Sequence, residues 1–311
     1  MSDLVGHIVR ALDLDRGDLI VGIGQVGGVA PLPGVDSVSD LLRLGVDDLA
    51  ARLARVEAPI PFHRLRLLPP IDGATEVWAA GVTYLASREA REEESGDREV
   101  YLRVYHAERP ELFAKGLAWR TVTHGEPIGI RDDSPNNVPE PEVGLVLNDK
   151  GEMVGFTIVD DVSSRAIEGE NPLYLPQAKV YDGSCAIGRS IVPAWLIPDR
   201  GVMEISMTVT RGGAPIFAGA SSTNRLKRDF AELAGYLFRQ MSFPDGVVLA
   251  TGTSVVPPMT TTIVVGDMVE IEITGLGKLA NPVAAASEVG RWLVARRLDP
   301  GEPFDDRAWT D

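Results

Sequence analysis

Cysteine is almost missing from this chain, with Cys185 standing alone. A single thiol excludes an internal disulfide framework and fits a reducing compartment. Long apolar runs are missing too. No stretch reaches the roughly 18 consecutive apolar residues of a membrane span. The N-terminal MSDLVGHIVRALDLDRGD carries acids early and has no apolar signal core. The expectation is a cytoplasmic protein with no membrane partner. Basic charge is short, at 30 Lys and Arg against 45 Asp and Glu, a formal net charge of −15. Such a surface repels phosphate backbones, so nucleic acid is not expected as a partner. The four histidines, His7, His63, His106 and His124, show no HExxH or other metal-ligand spacing, and no GxSxG nucleophile elbow occurs. Internal repeats and low-complexity tracts are lacking as well.

What is present is an ordinary globular mix, 44% hydrophobic and 24% charged over 311 residues, long enough to bury a full core. The proline run Leu68-Pro69-Pro70-Ile71-Asp72-Gly73 reads as a domain entry. It divides the chain into a small N-terminal domain, 1–70, and a larger domain, 71–311. The charged segment 87–108 reads as one or two helices broken at Gly96, with Glu92, Glu93 and Glu94 on a solvated face. From Gly125 onward the pattern turns to strand. Residues 142–147, the turn Asn148-Asp149-Lys150-Gly151 and residues 152–159 predict a β-hairpin. Further strands are expected over 203–210 and 268–274. Helices are expected where Leu226, Phe230, Leu233, Leu237 and Met241 recur, capped by Ser222 or Thr223, and over 284–298. Many strands and few helices predict an α+β chain, a twisted and mostly antiparallel β-roll.

Gly22-Ile23-Gly24-Gln25-Val26-Gly27 matches GxGxxG after an apolar run. A dinucleotide site needs a helix to open there. Pro31 and Pro33 follow too soon for one, so a glycine-rich hairpin turn is the better reading.

Pro139-Glu140-Pro141-Glu142, the hairpin, and Val159-Asp160-Asp161 carry the chemistry. Side chains alternate along a strand, so Glu140 and Glu142 share a face. If Asn148 pairs with Gly151, then Val143, Leu145, Leu147, Val154, Phe156 and Ile158 form one apolar face. The opposite face carries Glu140, Glu142 and Asp161, leaving Asp160 out. Three converging carboxylates raise each other's pKa, and a hard divalent cation resolves that. All-oxygen ligands suit Mg²⁺, with Mn²⁺ or Ca²⁺ possible. Lys179, in Leu175-Pro176-Gln177-Ala178-Lys179, follows in a Gly/Pro-punctuated segment. A nearby cation disfavours a lysine's charged form, which suits it to act as a general base. Cys185 has no histidine nearby in sequence and reads as a small buried hydrophobe.

VPEPEVGLVLNDKGEMVGFTIVDDVSSR, TGTS at 251–254 and GDMVEIEITGLGKLANPV at 266–283 resemble the fumarylacetoacetate hydrolase superfamily. The resemblance implies that family's β-roll with a small N-terminal domain, metal ligands at Glu140, Glu142 and Asp161, and an active-site lysine at Lys179. IEGENPLYLPQAKVYDGSCAIG, with WAAGVTYLASREAREEES and GEPIGIRDDSPNNVPEPE, is similar to the branch of 2-keto-3-deoxy-D-arabinonate and 2-keto-3-deoxy-D-xylonate dehydratases. That branch forms 2,5-dioxopentanoate. The family's carbon–carbon hydrolases often carry a GxNYxxHxxE-like segment. Here Tyr84 is kept, while Ser87 and Ala90 replace the histidine and glutamate. The chain also departs from the common pattern at Asp160 (usually asparagine), Ala166 (usually an acid) and Arg189 (often proline).

The resemblance implies a metal-dependent lyase acting on a small 2-keto acid, a 2-keto-3-deoxy pentonate. Lys179 would take the C3 proton. Thr253 and Arg165 are expected to hold the carboxylate or a hydroxyl, and Tyr84 and Arg88 to line the mouth. A homodimer or homotetramer is expected. Two alternatives stay open: a carbon–carbon hydrolase of acylpyruvate or fumarylacetoacetate type, and a non-catalytic keto-acid-binding protein. A keto-acid decarboxylase or isomerase would use the same site.

Overall fold

The computed structural model describes residues 2–86, 98–197 and 202–304. Three large sheets organise them, beside a two-stranded pairing of Asn137–Val138 with Ser163–Ser164. The first is antiparallel, in the order Ile60–Pro61, Gly28–Pro31, Leu19–Gln25, Ile8–Asp13, Leu65–Leu68. Its central turn is the glycine-rich motif, and no helix opens there. Gly27 sits at φ 85°, and a Cβ on Gly24 would lie 2.0 Å from the Leu4 carbonyl oxygen. A left-handed turn at Gly27 and backbone crowding at Gly24, not a phosphate, explain these glycines.

The second sheet runs Cys185–Ile187, Met153–Asp161, Pro141–Leu147, Val247–Ala250, Glu76–Gly81, Glu111–Leu117, with Val192–Pro193 also on Met153–Asp161. The third runs Ala214–Ser222, Glu204–Arg211, Met268–Ile273, Gly277–Ala285, Ile128–Ile130. Among the described strands only two pairings are parallel: Val247–Ala250 with Glu76–Gly81, and Gly277–Ala285 with Ile128–Ile130. The third sheet alternates, with Ile205, Met207 and Val209 inward and Glu204, Ser206 and Thr208 less covered. That alternation is the mark of a sheet with one wet face.

The hairpin differs, because every residue of Pro141–Leu147 is buried. Val143, Leu145, Leu147, Phe156 and Ile158 pack in the core shared with the third sheet. Val146 and Val159 pack in a second core, which reaches Ile8, Leu41 and Leu42 near the N-terminus. The carboxylates therefore lie on a face that is itself covered. The register is two residues from the expected one. Leu145 faces Phe156 and Val143 faces Ile158. A shift of two preserves which face each side chain takes. Val154 is the exception. The ladder is irregular beside Leu147, and Val154 lies in the second core with Val146. The loop explains the shift. Asn148 bonds both Gly151 and Glu152: its carbonyl accepts the Gly151 amide, and its own amide donates to the Glu152 carbonyl, each at 3.0 Å. Its side chain is drawn to the Leu44 carbonyl at 2.9 Å, a contact the local sequence cannot reveal.

Two helices start later than expected. Phe230–Leu237 is capped by Asp229, not by Ser222 or Thr223. Leu226 bridges Tyr84, and the Lys227 amide donates to the Thr83 carbonyl, which keeps that stretch extended. Met241 lies past the helix end, half exposed. Ala286–Leu298 loses Ala284 and Ala285 to the third sheet. Helix Arg98–His106 falls in the expected charged segment, while Gly96 and the acidic run lie outside the described residues. No helix among the described residues is long and apolar enough to cross a membrane.

Candidate metal centre

Glu140 immediately precedes Pro141–Leu147, and Asp161 ends Met153–Asp161. The Asp161 amide donates to the Glu140 carbonyl at 3.0 Å, so the ladder sets these two residues opposite each other. Glu142 follows on the same face. All three are at most 3% exposed. One carboxylate oxygen from each lies within 4.8 Å of the others. Asp160 turns away from them and accepts the Glu140 amide at 2.8 Å.

Two buried lysines answer this negative charge. Lys179 ends the short helix Leu175–Lys179. Its Nζ lies 2.7 Å from Glu140 Oε2, 3.2 Å from Asp161 Oδ2, 2.6 Å from Ser163 Oγ and 3.9 Å from Glu168 Oε2. Lys115 was not anticipated. Its Nζ is 2.5 Å from Asp161 Oδ1, with its side chain fully covered. Glu142 is served differently, accepting the Gly252 amide at 2.6 Å. Burial, then Asp161 and Glu140, push Glu142 well above the ordinary carboxylate range, against the pull of that amide. Burial also pushes Asp160 up to about 7, although the Glu140 amide and Lys115 favour its charged form.

A small half-open cavity reaches all three carboxylates and Lys179, and its wall includes Glu111, Glu168, Val82 and Thr253. Glu111 sits opposite Gly81 in the ladder. Its carboxylate overlies Gly81, where a Cβ would come within 2.1 Å of Oε2. Val82 has φ 53°, a left-handed conformation that strains a β-branched residue and is typical of functional walls.

The other expected site residues fall differently. Thr253 is at the cavity, its Oγ1 3.3 Å from the Val255 amide. Tyr84 is buried beside it, close enough to Glu142 that burial and that charge raise its phenol pKa, with Ser254 as hydrogen-bond partner. It borders a neighbouring hollow with Arg225 and Ser254, not the cavity itself. Arg165 is also away from the cavity. Its Nη1 donates to the Pro257 carbonyl at 2.8 Å, so it secures the loop beyond Thr253. Arg88 lies outside the described residues. Glu111 and Lys115 carry no sequence signal, because the strand pattern is read only from Gly125 onward and Glu111–Leu117 lies before it. The alternation that puts Glu111 with Phe113 was available, but nothing marked that face as the one beside the hairpin.

An all-oxygen set of buried carboxylates with surplus negative charge fits a hard divalent cation. A family model described as fumarylacetoacetate (FAA) hydrolase C-terminal matches residues 76–284. The chain belongs to the fumarylacetoacetate hydrolase family. Within this family it is 47% identical, over 79% of its length and 85% of the relative's, to a probable 2-keto-3-deoxyxylonate dehydratase of Haloferax volcanii. It is 42% identical to a 2-dehydro-3-deoxy-D-arabinonate dehydratase of Saccharolobus solfataricus, over 70% of this chain and 74% of that one. It also resembles the solved structure of a 2-keto-3-deoxy-D-arabinonate dehydratase complexed with magnesium and 2,5-dioxopentanoate. That likeness has a TM-score of 0.76 and 34% identity, and covers 89% of this chain and 98% of the other. The family's fold, with its mixed sheets, is the α+β architecture expected from the sequence.

Proposed function

We propose that this family member is a Mg²⁺-dependent dehydratase that converts a 2-keto-3-deoxy pentonate to 2,5-dioxopentanoate. The observation that carries the reading is the buried triad of Glu140, Glu142 and Asp161 with the Lys179 amine bonded to Glu140 and Asp161. The names of the dehydratase relatives supply the substrate class.

When bound by the triad, the cation supplies a Lewis acid for the keto oxygen and carboxylate of a 2-keto acid and stabilises an enolate. Lys179 removes a C3 proton, held in place by Ser163 and flanked by Glu168. Glu111, on the cavity wall, gives a proton to the departing C4 hydroxyl, completing the loss of one water. Transfer of a proton from C5 to C3 then moves the new double bond to C4–C5. The enol so formed at C5 becomes the aldehyde of the dioxo acid. Thr253 orients the substrate's polar end. Val82, Phe113 and Leu175 line the cavity as apolar wall and limit water.

The experiment is a substrate comparison in millimolar Mg²⁺. 2-Keto-3-deoxy pentonates should yield 2,5-dioxopentanoate, and acylpyruvates should be cleaved slowly or not at all. Rapid acylpyruvate cleavage with the pentonates untouched would overturn the reading. Glu168 favours that second reading, since it is a buried carboxylate beside the cavity able to activate water. Against it stands the absence of the family's His–Glu pair at Ser87 and Ala90. The non-catalytic reading leaves the intact triad and Lys179 without a purpose. We take the working form to be a homodimer or homotetramer in the cytoplasm, consistent with a single buried thiol. Light scattering and cell fractionation would check this.

A further inference from the structure

Lys115 is not accounted for by the reaction above. It lies on Glu111–Leu117, whose ladder with Glu76–Gly81 skips one residue. Ala114 faces Trp78 and Gly116 faces Val77, so Lys115 is the residue the bulge leaves unpaired. A bulge re-aims the side chain it carries, and here it drives an ammonium into the protein interior. That ammonium donates to the carbonyls of Val162, at 2.9 Å, and Lys179. The same nitrogen forms an ion pair with Asp161 Oδ1 at 2.5 Å. One cation thus grips the backbone after one expected ligand, the backbone of the expected base, and one oxygen of that ligand.

The two oxygens of Asp161 are not equivalent. Oδ1 faces Lys115, which is fixed by two carbonyls. Oδ2 faces the amine of Lys179, a residue that lines the cavity. Mg²⁺ demands near-octahedral geometry and takes single carboxylate oxygens, whereas Ca²⁺ accepts more ligands and bidentate carboxylates. Building on the proposed cation site, we infer that Lys115 is a positioning residue that sets metal preference. By holding Oδ1 it restricts Asp161 to one-oxygen ligation through Oδ2, which favours Mg²⁺ over Ca²⁺.

The test is calorimetric titration of the full chain with Mg²⁺ and with Ca²⁺, wild type against Lys115→Met. In the variant the Mg²⁺ dissociation constant should rise about 10- to 100-fold, the usual effect of removing a group that orients a ligand. The Ca²⁺ constant should change by much less, because Asp161 gains a second ligating oxygen. A merely structural lysine would weaken both ions alike, so an unchanged preference overturns the inference. Should Lys115→Met fail to fold, a crystal structure of the wild type with Mg²⁺ decides. Asp161 bound through Oδ2 alone, with Lys115 on Oδ1, supports the inference. Ligation through Oδ1, or through both oxygens, overturns it. Wild type that binds neither ion would instead remove the cation site itself, and with it the proposed function.

Discussion

The Lys179 amine lies 2.7 Å from Glu140 Oε2, inside the group of carboxylates a cation would use. Amine and cation contend for the same oxygens. Lys179→Met keeps much of the side chain's bulk and removes its proton chemistry. Turnover of the pentonate should fall by at least about 10², the reach of general-base catalysis. Mg²⁺ affinity without substrate should hold or rise. A variant that loses Mg²⁺ binding would show that Lys179 supports the metal site instead of contending for it.

The hairpin's face assignment yields a second prediction. Asp161→Asn or Glu142→Gln should abolish measurable Mg²⁺ binding. Asp160→Asn should change it by no more than a few fold, because an asparagine oxygen can still accept the Glu140 amide. Calorimetry on the three variants decides. Loss of binding in Asp160→Asn would mean that Asp160 ligates the metal.

Stability of the chelated protein should depend on pH in a definite direction. The ordinary value for Glu142 is 4.5, and its folded-state value lies well above that. Above about 4.5 the unfolded chain has released a proton that the folded chain keeps, so the slope of unfolding free energy against pH is negative. In chelator, the unfolding midpoint should fall as pH rises from about 5 until the folded group itself ionises. Saturating Mg²⁺ should flatten this trend and raise the midpoint, adding about 2.7 kcal/mol of unfolding free energy at a hundredfold excess over Kd. Calorimetric scans from pH 5 to 8, with and without Mg²⁺, are the measurement. A flat profile in chelator would count against an unrelieved carboxylate cluster.

Glu111→Gln separates catalysis from metal binding. Its carboxylate shares the cavity without joining the triad. Turnover should fall by about 10² or more while the Mg²⁺ constant stays within a few fold. Steady-state rates and calorimetry together test it, and unchanged turnover would free Glu111 of the proton-donor role.

The triad was legible from the hairpin because faces depend on parity alone. The register was not, since Asn148 answers to Leu44, about a hundred residues away in the chain. Asp229 displaced the expected cap for a similar reason, the strand-like bridge between Leu226 and Tyr84. Arg165, expected to hold a substrate carboxylate or hydroxyl, sends Nη1 to the Pro257 carbonyl, a partner 92 residues away that its local sequence does not announce. Lys115 had no sequence mark at all, because a bulge is a property of two strands and only one of them carries the lysine.

The antiparallel pairing of Val247–Ala250 with Pro141–Leu147 bears on how the chain is made. On the ribosome the acidic hairpin emerges long before Val247–Ala250, its partner on the Pro141–Leu147 side. Until residues 247–252 have been synthesised, that edge stays unpaired and Glu142 lacks the Gly252 amide. Exposed strand edges seek other chains. A nascent chain stalled between residues 161 and 247 is therefore the form most exposed to aggregation, and slower translation across that interval should lower the soluble yield.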